Sequence, residues 1–208
     1  MLSSILSYPE RGPWGDASYP GNCSGHIIKR LLEYYEPRIF VDPAEGSGTS
    51  RDVAKELGLT YFGFDLRSGF DVLTQPLDAV LCERADLVFF HPPYHNIVRY
   101  SSQVWGKEPH PQDLSQCPTF EDYLFKLKLA CINIWSAIRQ GGRLAVLIGD
   151  TRRNGTYYSP QAQVQQFHLG QLEAILIKAQ HHTRSANKKY YGRFIPIAHE
   201  YLLVFRKK

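Results

Sequence analysis

A four-residue motif, His91-Pro92-Pro93-Tyr94, places an imidazole and a phenol on a stiff stretch of backbone. Proline fixes its own φ angle, and the residue before a proline is kept out of the helical region, so both side chains leave the chain in a fixed, extended arrangement. The motif follows a mostly apolar run over residues 86–90, Asp-Leu-Val-Phe-Phe, that predicts a buried strand. A hydrogen-bonding ring beside a flat aromatic face is suited to holding an unstacked nucleobase by its amine.

A glycine-containing segment upstream, residues 42–49, has the sequence DPAEGSGT. Gly46 and Gly48 allow a sharp turn and a close approach of the backbone to a ligand. Thr49 begins a predicted helix whose free amides favour negative charge. A phosphate-binding P-loop would need Gly-Lys-Ser or Gly-Lys-Thr, and the dinucleotide fingerprint would need a third glycine where this chain has Arg51. A tight strand-to-helix turn without a ligand is the alternative interpretation.

In this order and spacing, the two motifs resemble the class I S-adenosylmethionine-dependent methyltransferases, and among them the DNA amino-methyltransferases that modify adenine N6 or cytosine N4. The resemblance extends from about Gly21 to Phe205. It departs from the family at one point, because His91 stands where the family carries Asp, Asn or Ser before the two prolines. The resemblance implies S-adenosyl-L-methionine as the cofactor. It also implies a Rossmann-like α/β fold, with a mostly parallel seven-stranded sheet, a C-terminal antiparallel strand pair and helices on both faces.

The resemblance further implies a cofactor site built from strand ends and from the start of the first helix. Asp65 would accept the ribose hydroxyls and Asp71 would meet the adenine ring, although a solvated turn aspartate is a comparable interpretation of Asp71. Asp42 would face the methionine amino group or orient the loop. An ordinary helix cap by Ser24 is compatible with a cofactor contact there. The complete predicted set is Asn22, Cys23, Ser24, Asp42, Pro43, Glu45, Gly46, Ser47, Gly48, Thr49, Asp65, Leu66 and Asp71.

The catalytic residues that the resemblance implies are His91, Pro92, Pro93 and Tyr94. In the family, the first side chain and a carbonyl of the prolines accept the two amine protons, and the aromatic ring stacks on the target base. The carbonyl of Pro92 and the ring of Tyr94 fit these roles. His91 can accept only while neutral, and an ordinary histidine begins to protonate at about pH 6.5. The departure at His91 indicates a changed base, a different amine, a histidine that takes up the proton after transfer, or an inactive site.

Three further groups are candidates for substrate contact. They are Asn96, Arg99 and Tyr100 on the polar loop after the Pro-Pro motif, Asp150 and Arg152 after the predicted fifth strand, and Lys188, Lys189, Tyr190 and Tyr191 in a basic, aromatic stretch. Alternating basic and aromatic residues suit phosphate contact and base stacking. A solvated hairpin loop is an equal interpretation of that last stretch. The histidines show no metal-ligand spacing, so we predict no metal.

Length and composition bound the function classes. The 208 residues, 43% hydrophobic and 21% charged, predict one domain over residues 1–208, with an arm over 1–23 and a substrate-side loop over 95–118. The resemblance makes this a methyltransferase domain, without a separate target-recognition domain. The net charge of +4 permits a nucleic-acid partner, and the resemblance favours DNA over RNA. Specificity would then come from short loops, a homodimer or a partner protein. Four scattered cysteines, no apolar span and no signal pattern predict a cytoplasmic protein without membrane attachment.

Hydrophobic periodicity and turn residues predict the elements that position these motifs. The predicted helices cover 25–35, 49–57, 77–84, 120–139 and 160–169, with Ser24 and Thr119 as N-caps. The predicted strands cover 38–41, 59–64, 70–73, 86–90, 143–149, 172–179 and 199–205, the last two as an antiparallel pair. Both motifs fall at strand ends of a mostly parallel sheet, so we expect them to meet near the switch in strand order.

The leading hypothesis is therefore methyl transfer to the exocyclic amine of a DNA base. Transfer to guanine N2 of RNA is an alternative, because RNA base methyltransferases also carry these segments in this order without a large insert. An inactive, cofactor-binding subunit of a methyltransferase complex is another.

Overall fold

The computed structural model describes residues 2–98, 100, 108, 110–181 and 194–208. The strands within these residues are β1 (Ile5–Ser7), β2 (Ile39–Asp42), β3 (Thr60–Gly63), β4 (Ala85–Phe90), β5 (Ile138–Ile148), β6 (Thr151–Arg153), β7 (Thr156–Tyr158), β8 (Gln171–Ala179) and β9 (His199–Arg206). The α-helices are α1 (Gly25–Tyr35), α2 (Thr49–Glu56), α3 (Leu77–Val80), α4 (Phe120–Ser136) and α5 (Pro160–Gln165). Short 3-10 turns lie at Leu66–Ser68, His95–Ile97 and Leu114–Gln116.

Among the described residues, seven strands form one sheet in the order β1-β8-β9-β5-β4-β2-β3. The neighbours β3, β2, β4 and β5 are parallel, and β9 runs antiparallel between β5 and β8. Strands β6 and β7 form a separate antiparallel hairpin. The predicted fold class, a mostly parallel seven-stranded sheet with a C-terminal antiparallel pair, is confirmed.

Helices cover both faces of the sheet because its central strands are apolar on both sides. Successive side chains of a strand point to opposite faces. In β4, Leu87 and Phe89 join a core with residues of α1 and α2, whereas Val88 and Phe90 join the core that contains α4 residues. The near-continuous apolar run in β4 therefore serves two cores at once.

The two predicted helix caps behave differently. Thr119 caps α4 as predicted, because its hydroxyl accepts a hydrogen bond from the amide of Asp122 at 3.0 Å. Ser24 precedes α1, whose predicted bounds are confirmed, but its side chain makes no cap bond. Its hydroxyl instead donates to the carbonyl groups of Glu10 and Arg11, at 3.4 and 3.3 Å. The N-terminal arm thus takes up the group that would otherwise cap the helix.

The sheet reaches seven strands by a route that differs from the prediction. Residues 70–73 form a turn instead of the predicted third strand, because the Asp71 carboxylate accepts from the Leu73 amide (2.9 Å) and the Thr74 hydroxyl (2.7 Å). The seventh strand is β1, which lies in the arm that was predicted to be a loop. It pairs in parallel with β8 and buries Leu6.

Four helices end earlier than predicted, α2 by the single residue Leu57. Helix α3 ends at Val80, α4 at Ser136 and α5 at Gln165. For α4 the reason is the sheet, because Ile138 already pairs with Ala85 as the first residue of β5. The two glycines at 141 and 142 therefore lie inside a strand and do not end a helix. In the described part of the chain, no helix is both long and apolar enough to cross a membrane.

Candidate active site

The two sequence motifs leave neighbouring strands of the sheet. Strands β2 and β4 are parallel and adjacent, with Phe40 opposite Leu87 and Val41 opposite Val88. From β2 the chain moves outward to β3, and from β4 it moves outward to β5 on the other side. This is a switch in strand order, where parallel α/β sheets form a crevice at their carboxyl ends. Two segments open onto this crevice. They are the glycine loop (residues 42–49), which follows β2, and the Pro-Pro corner (residues 91–94), which follows β4.

A first cavity, here called the glycine-loop cavity, lies at the ends of β2, β3 and β4. It holds about 930 Å³ of empty space, part of it open to solvent. The predicted cofactor residues that line it are Asn22, Cys23, Asp42, Pro43, Glu45, Gly46, Ser47, Thr49, Asp65, Leu66 and Asp71. Ser24 and Gly48 are not among its lining residues. The remainder of the predicted cofactor set is brought together around one space.

A second cavity, here called the corner cavity, adjoins the first. It holds about 1410 Å³ of empty space, again partly open to solvent. All four residues of the Pro-Pro motif line it, together with Asp150, Arg152 and Glu200. The residues that line both cavities are Gly21, Asn22, His91, Pro93 and Tyr100. The cavities beside the glycine loop and the Pro-Pro corner, two motifs that are distant in sequence, therefore share a wall.

The glycine loop turns on two left-handed residues, Gly46 at φ 52° and Gly48 at φ 84°. The amide of Gly46 donates to Oδ2 of Asp65 at 3.0 Å, and Oδ1 of Asp65 accepts from the Arg67 amide at 2.9 Å. A side chain on Gly46 would place its Cβ 2.9 Å from a ring carbon of Tyr19. The Asp65 carboxylate thus fixes the loop by a hydrogen bond, and the Tyr19 ring packs against Gly46.

Asp42 is the most buried carboxyl group of the glycine-loop cavity, at 3% exposure. Burial raises its pKa to about 7, although hydrogen bonds from the Ser50 hydroxyl and the Ala44 amide favour the charged form. Asp42 is therefore poised to change charge near neutral pH, and a cation beside it would favour the carboxylate.

Two tyrosines, neither of them predicted to contact the cofactor, also line the glycine-loop cavity. The rings of Tyr19 and Tyr100 lie with their centroids 6.0 Å apart. The guanidinium of Arg67 lies 5.3 Å from the Tyr19 ring centroid, within cation–π range. Tyr100, predicted as a substrate residue, thus lines both cavities and contacts the N-terminal arm.

The Pro-Pro corner is held by one internal hydrogen bond and by hydrogen bonds to a residue of β9 and to a residue of α4. The Tyr94 hydroxyl lies 2.9 Å from Nε2 of His91 and donates to Oε1 of Glu200 at 3.0 Å. The Tyr123 hydroxyl donates to the carbonyl of Pro93 at 2.9 Å. Burial lowers the pKa of His91 to about 4, so its ring is neutral at physiological pH. An ordinary histidine is protonated on mild acidification and then has no ring nitrogen left to accept a hydrogen bond. His91 stays neutral under the same conditions and keeps one acceptor nitrogen.

The predicted substrate residues divide by position. Asp150 and Arg152 line the corner cavity, but the two carboxylate oxygens of Asp150 already accept from Tyr157 and Ser159, at 2.8 and 2.9 Å. Asn96 lies beside a third, smaller cavity, next to Phe120 and away from the shared wall. The remaining predicted residues, Arg99, Lys188, Lys189, Tyr190 and Tyr191, lie outside the described part of the chain.

Sequence reasoning missed several lining residues. Those of the glycine-loop cavity include Tyr19, Ser50, Phe70, Val72, Leu73, Gln112, Asp113 and Leu114, and those of the corner cavity include Gly149 and Glu200. Gly149 directly follows the apolar fifth strand, and its position at a strand end is a signal that was available. Glu200 lies inside an apolar strand, where a buried acid is unusual enough to be a second signal. In the described residues, no group of three or more His, Cys, Asp or Glu side chains is arranged to hold a metal ion.

Comparison with known proteins defines the fold. No family model and no curated protein matches the chain. A SAM-dependent methyltransferase from Archaeoglobus fulgidus is 13% identical, with a TM-score of 0.52 over 89% of this chain and 95% of that one. An rRNA methylase from Streptococcus thermophilus is 13% identical, with a TM-score of 0.43 over 88% of this chain and 96% of that one.

A candidate DNA modification methylase from Thermus thermophilus, solved in complex with S-adenosyl-L-methionine, is 20% identical, with a TM-score of 0.42 over 81% of this chain and 55% of that one. The present chain thus spans about half the length of the Thermus protein. The similarity to the Archaeoglobus structure extends over nearly the whole of both chains. The sheet order and this similarity together show the fold of a class I methyltransferase.

Proposed function

We propose that this protein transfers the methyl group of S-adenosyl-L-methionine to the exocyclic amine of a nucleic-acid base, adenine N6 or cytosine N4 in DNA. One observation carries the proposal. The glycine loop and the Pro-Pro corner leave adjacent strands and open onto adjoining cavities that share His91 and Pro93. A methyl donor in the glycine-loop cavity and an acceptor in the corner cavity would meet at this wall.

The glycine-loop cavity suits this cofactor in its chemistry. Its empty space, about 930 Å³, is partly open to solvent, and both carboxylates and apolar side chains line it. Each carboxylate oxygen of Asp65 and Asp71 already accepts one hydrogen bond from a neighbouring residue. Their second lone pairs would accept from ribose hydroxyls and from the adenine amine, beside the apolar side chain of Phe70. Asp42 would face the methionine ammonium group. When bound, the cofactor supplies an electrophilic methyl group on a sulfonium sulfur.

The corner cavity offers acceptors for the two protons of an amine. An exocyclic amine is a poor nucleophile because its lone pair is delocalised into the base, and acceptors for both protons favour a tetrahedral nitrogen. The carbonyl of Pro93 is taken by Tyr123. No described residue donates a hydrogen bond to the Pro92 carbonyl, which would accept one of the amine protons. His91, neutral because burial lowers its pKa, is the second acceptor, and the ring of Tyr94 would stack on the base.

The rim of the corner cavity favours an aromatic, anionic substrate. The guanidinium of Arg152 lies 5.3 Å from the Tyr157 ring centroid and 5.1 Å from that of Phe194. One of its N–H groups donates to the Ile195 carbonyl at 2.8 Å. The guanidinium would donate further N–H groups to a phosphate. The net charge of +4 acts in the same direction. These features support a nucleic acid as the partner.

The test is a methyl-transfer assay with labelled cofactor on single-stranded DNA, duplex DNA and RNA, followed by digestion to nucleosides and identification of the methylated base. We expect label on adenine or cytosine of DNA. Label on guanine of RNA would instead support the RNA alternative, and cofactor binding without any transfer would support the inactive subunit.

Two variants test the division of labour. Tyr94→Ala should abolish transfer and leave cofactor affinity within about threefold, because the ring belongs to the acceptor side. Tyr34→Ala is the matched control, since this tyrosine on α1 is 56% exposed and lies outside both cavities. Parallel loss of binding and transfer in Tyr94→Ala would contradict the assignment.

A further inference from the structure

Glu200 is a buried acid behind the Pro-Pro corner. It lies in β9, 6% exposed, directly across from Lys178 of β8, with which it forms an ion pair. Its second oxygen, Oε1, accepts from the Tyr94 hydroxyl at 3.0 Å. Glu200 also lines the corner cavity. The structure thus links Lys178, Glu200, Tyr94 and His91 in one continuous hydrogen-bonded chain.

The direction of each hydrogen bond in this chain follows from counting protons. An ionised carboxylate only accepts, and a phenol has a single proton to give. The Tyr94 proton is therefore committed to Glu200, and the Tyr94 oxygen can meet Nε2 of His91 only as an acceptor. Nε2 must carry the hydrogen. In neutral His91, Nδ1 is then unprotonated, and it has no hydrogen-bond partner among the described residues.

The charge states that this count requires agree with the surroundings. Burial opposes the charged form of Glu200, but the adjacent charge of Lys178 and the hydrogen bonds from Lys178 and Tyr94 outweigh it and hold the pKa of Glu200 below its ordinary value. Burial, followed by the charge of Glu200, raises the pKa of Tyr94 well above its ordinary value, so the hydroxyl keeps its proton. The buried thiol of Cys23 and the hydroxyl of Tyr123 are the other titratable groups that act on Tyr94.

We propose that Glu200 is a positioning residue that acts through Tyr94 to hold His91 as the Nε2–H tautomer, with Nδ1 presented as a hydrogen-bond acceptor to the substrate. Only the identity of the group that meets Nδ1 rests on the proposed methyl transfer. The tautomer itself is a property of the free protein. This explains how a histidine can occupy a position where an acceptor is needed, because a fixed tautomer removes the donor from the substrate side.

Nuclear magnetic resonance of the full chain, labelled with ¹⁵N in the histidine rings, distinguishes the two neutral tautomers by their ring couplings. Signals of His91 are identified by their loss in His91→Asn. We expect Nε2–H in the wild type at pH 7. In Glu200→Gln, Lys178 can only donate, so it should hold the amide oxygen and turn the amide NH₂ toward Tyr94. The Tyr94 proton would then point at Nε2, and the hydrogen of His91 should move to Nδ1.

A double variant and a matched control complete the design. In Glu200→Gln combined with Lys178→Met, the amide oxygen is free to face Tyr94, and the Nε2–H form should return. The control is Glu173→Gln, which alters a comparable Tyr–Glu pair, Tyr35 to Glu173 at 3.0 Å, outside both cavities. It should leave His91 unchanged. Hydrogen on Nδ1 in the wild type, or an unaltered His91 in Glu200→Gln, would overturn the proposal.

Glu200→Gln leaves Lys178 without its charged partner and is the variant most prone to misfold. If it does, Tyr94→Phe tests the same link, because it removes the hydroxyl between Glu200 and His91 and should allow both tautomers. A pure Nε2–H signal in Tyr94→Phe would then refute the role of Glu200. If transfer is demonstrated, Glu200→Gln should lower kcat by roughly tenfold or more and leave the KM for the cofactor unchanged. If the tautomer shifts as expected but the wild type transfers no methyl group, the proposed function is wrong and the positioning role of Glu200 is retained.

Discussion

The ring of Tyr94 packs directly against the backbone of Gly149. A Cβ atom on Gly149 would lie 2.8 Å from Cε2 and 3.0 Å from Cδ2 of that ring. Tyr94 follows β4 and Gly149 follows β5, so this contact joins the ends of two neighbouring strands. Only a residue without a side chain leaves the ring where its hydroxyl reaches His91 and Glu200.

Gly149→Ala should therefore displace the Tyr94 ring. Gly149 has no positive φ, so alanine suits its backbone and the clash with the ring is the main cost. We expect a loss of about 1–3 kcal/mol in the free energy of unfolding, which is typical of overpacking. Methyl transfer should fall by roughly tenfold or more, equivalent to about 1.4 kcal/mol, with cofactor affinity nearly unchanged. Urea denaturation and transfer rates measure the two effects.

The source of that penalty can be isolated in a Tyr94→Ala background. With the ring removed, Gly149→Ala should cost almost nothing in stability, because the two changes concern one contact. An undiminished penalty in the double variant would show that the ring is not what excludes a side chain at this position.

Comparing Gly46→Ala with Gly58→Ala separates the cost of backbone strain from the effect of a new side chain inside the glycine-loop cavity. Both glycines are left-handed, at φ 52° and 68°. Each alanine should cost about 1–2 kcal/mol of stability for that conformation. A Cβ on Gly58 meets nothing within 4 Å, whereas one on Gly46 lies 2.9 Å from the Tyr19 ring. Only Gly46→Ala should weaken cofactor binding, by roughly tenfold, as measured by calorimetry. Equal affinities in the two variants would remove the glycine loop from the cofactor site.

The raised pKa of Asp42 predicts a pH dependence of stability. Between the ordinary value of 3.8 and about 7, the folded protein keeps a proton on Asp42 that the unfolded chain has lost. The folded state then binds more protons, so stability falls as pH rises through this window, by up to about 1.4 kcal/mol per pH unit.

Asp42→Asn removes that proton and should therefore abolish this part of the slope. Urea denaturation of both proteins at pH 5 and pH 7.5 is the measurement. The variant should gain stability relative to the wild type at the higher pH, and parallel curves would mean that Asp42 is not the titrating group. In the wild type, the same linkage makes a bound cation release the proton, so cofactor affinity should rise over this range.

The contrast between Thr119 and Ser24 is measurable as stability. Thr119→Ala should cost about 1 kcal/mol, because it removes the cap bond to the Asp122 amide at the start of α4. Ser24→Ala should cost clearly less, since its hydroxyl makes only long bonds to two arm carbonyl groups. Thermal unfolding of the two variants, compared at equal protein concentration, decides the order. A larger loss in Ser24→Ala would indicate that docking of the arm outweighs the cap.

Features written locally in the chain could be predicted from it. The bounds of α1 follow from its apolar stripe and from Pro37, and the turns at Gly46 and at Pro92-Pro93 follow from backbone preferences that need no partner. That both turns open onto one crevice also followed, because parallel strands carry their ends to the same edge of a sheet. The central geometry of the candidate site is thus encoded in short segments.

Features that depend on distant partners could not be predicted. Glu200 reaches Tyr94 only because β9 lies between β5 and β8, and its pairing with Lys178 depends on the register of that strand pair. The strand β1 has three residues, too few to show a period, and exists because the edge of β8 accepts it. The predicted strand at 70–73 failed for the opposite reason, because Asp71 bonds its own neighbours in a turn.

The N-terminal arm has two duties that lie at opposite ends of the fold. Its first strand shields the outer edge of β8, and its later residue Tyr19 covers Gly46 at the glycine loop. Deletion of roughly the first twenty residues would expose the unpaired edge of β8 to aggregation and would also remove Tyr19 from the glycine-loop cavity. Poor solubility and weaker ligand binding would then appear together, and both would result from the loss of the arm.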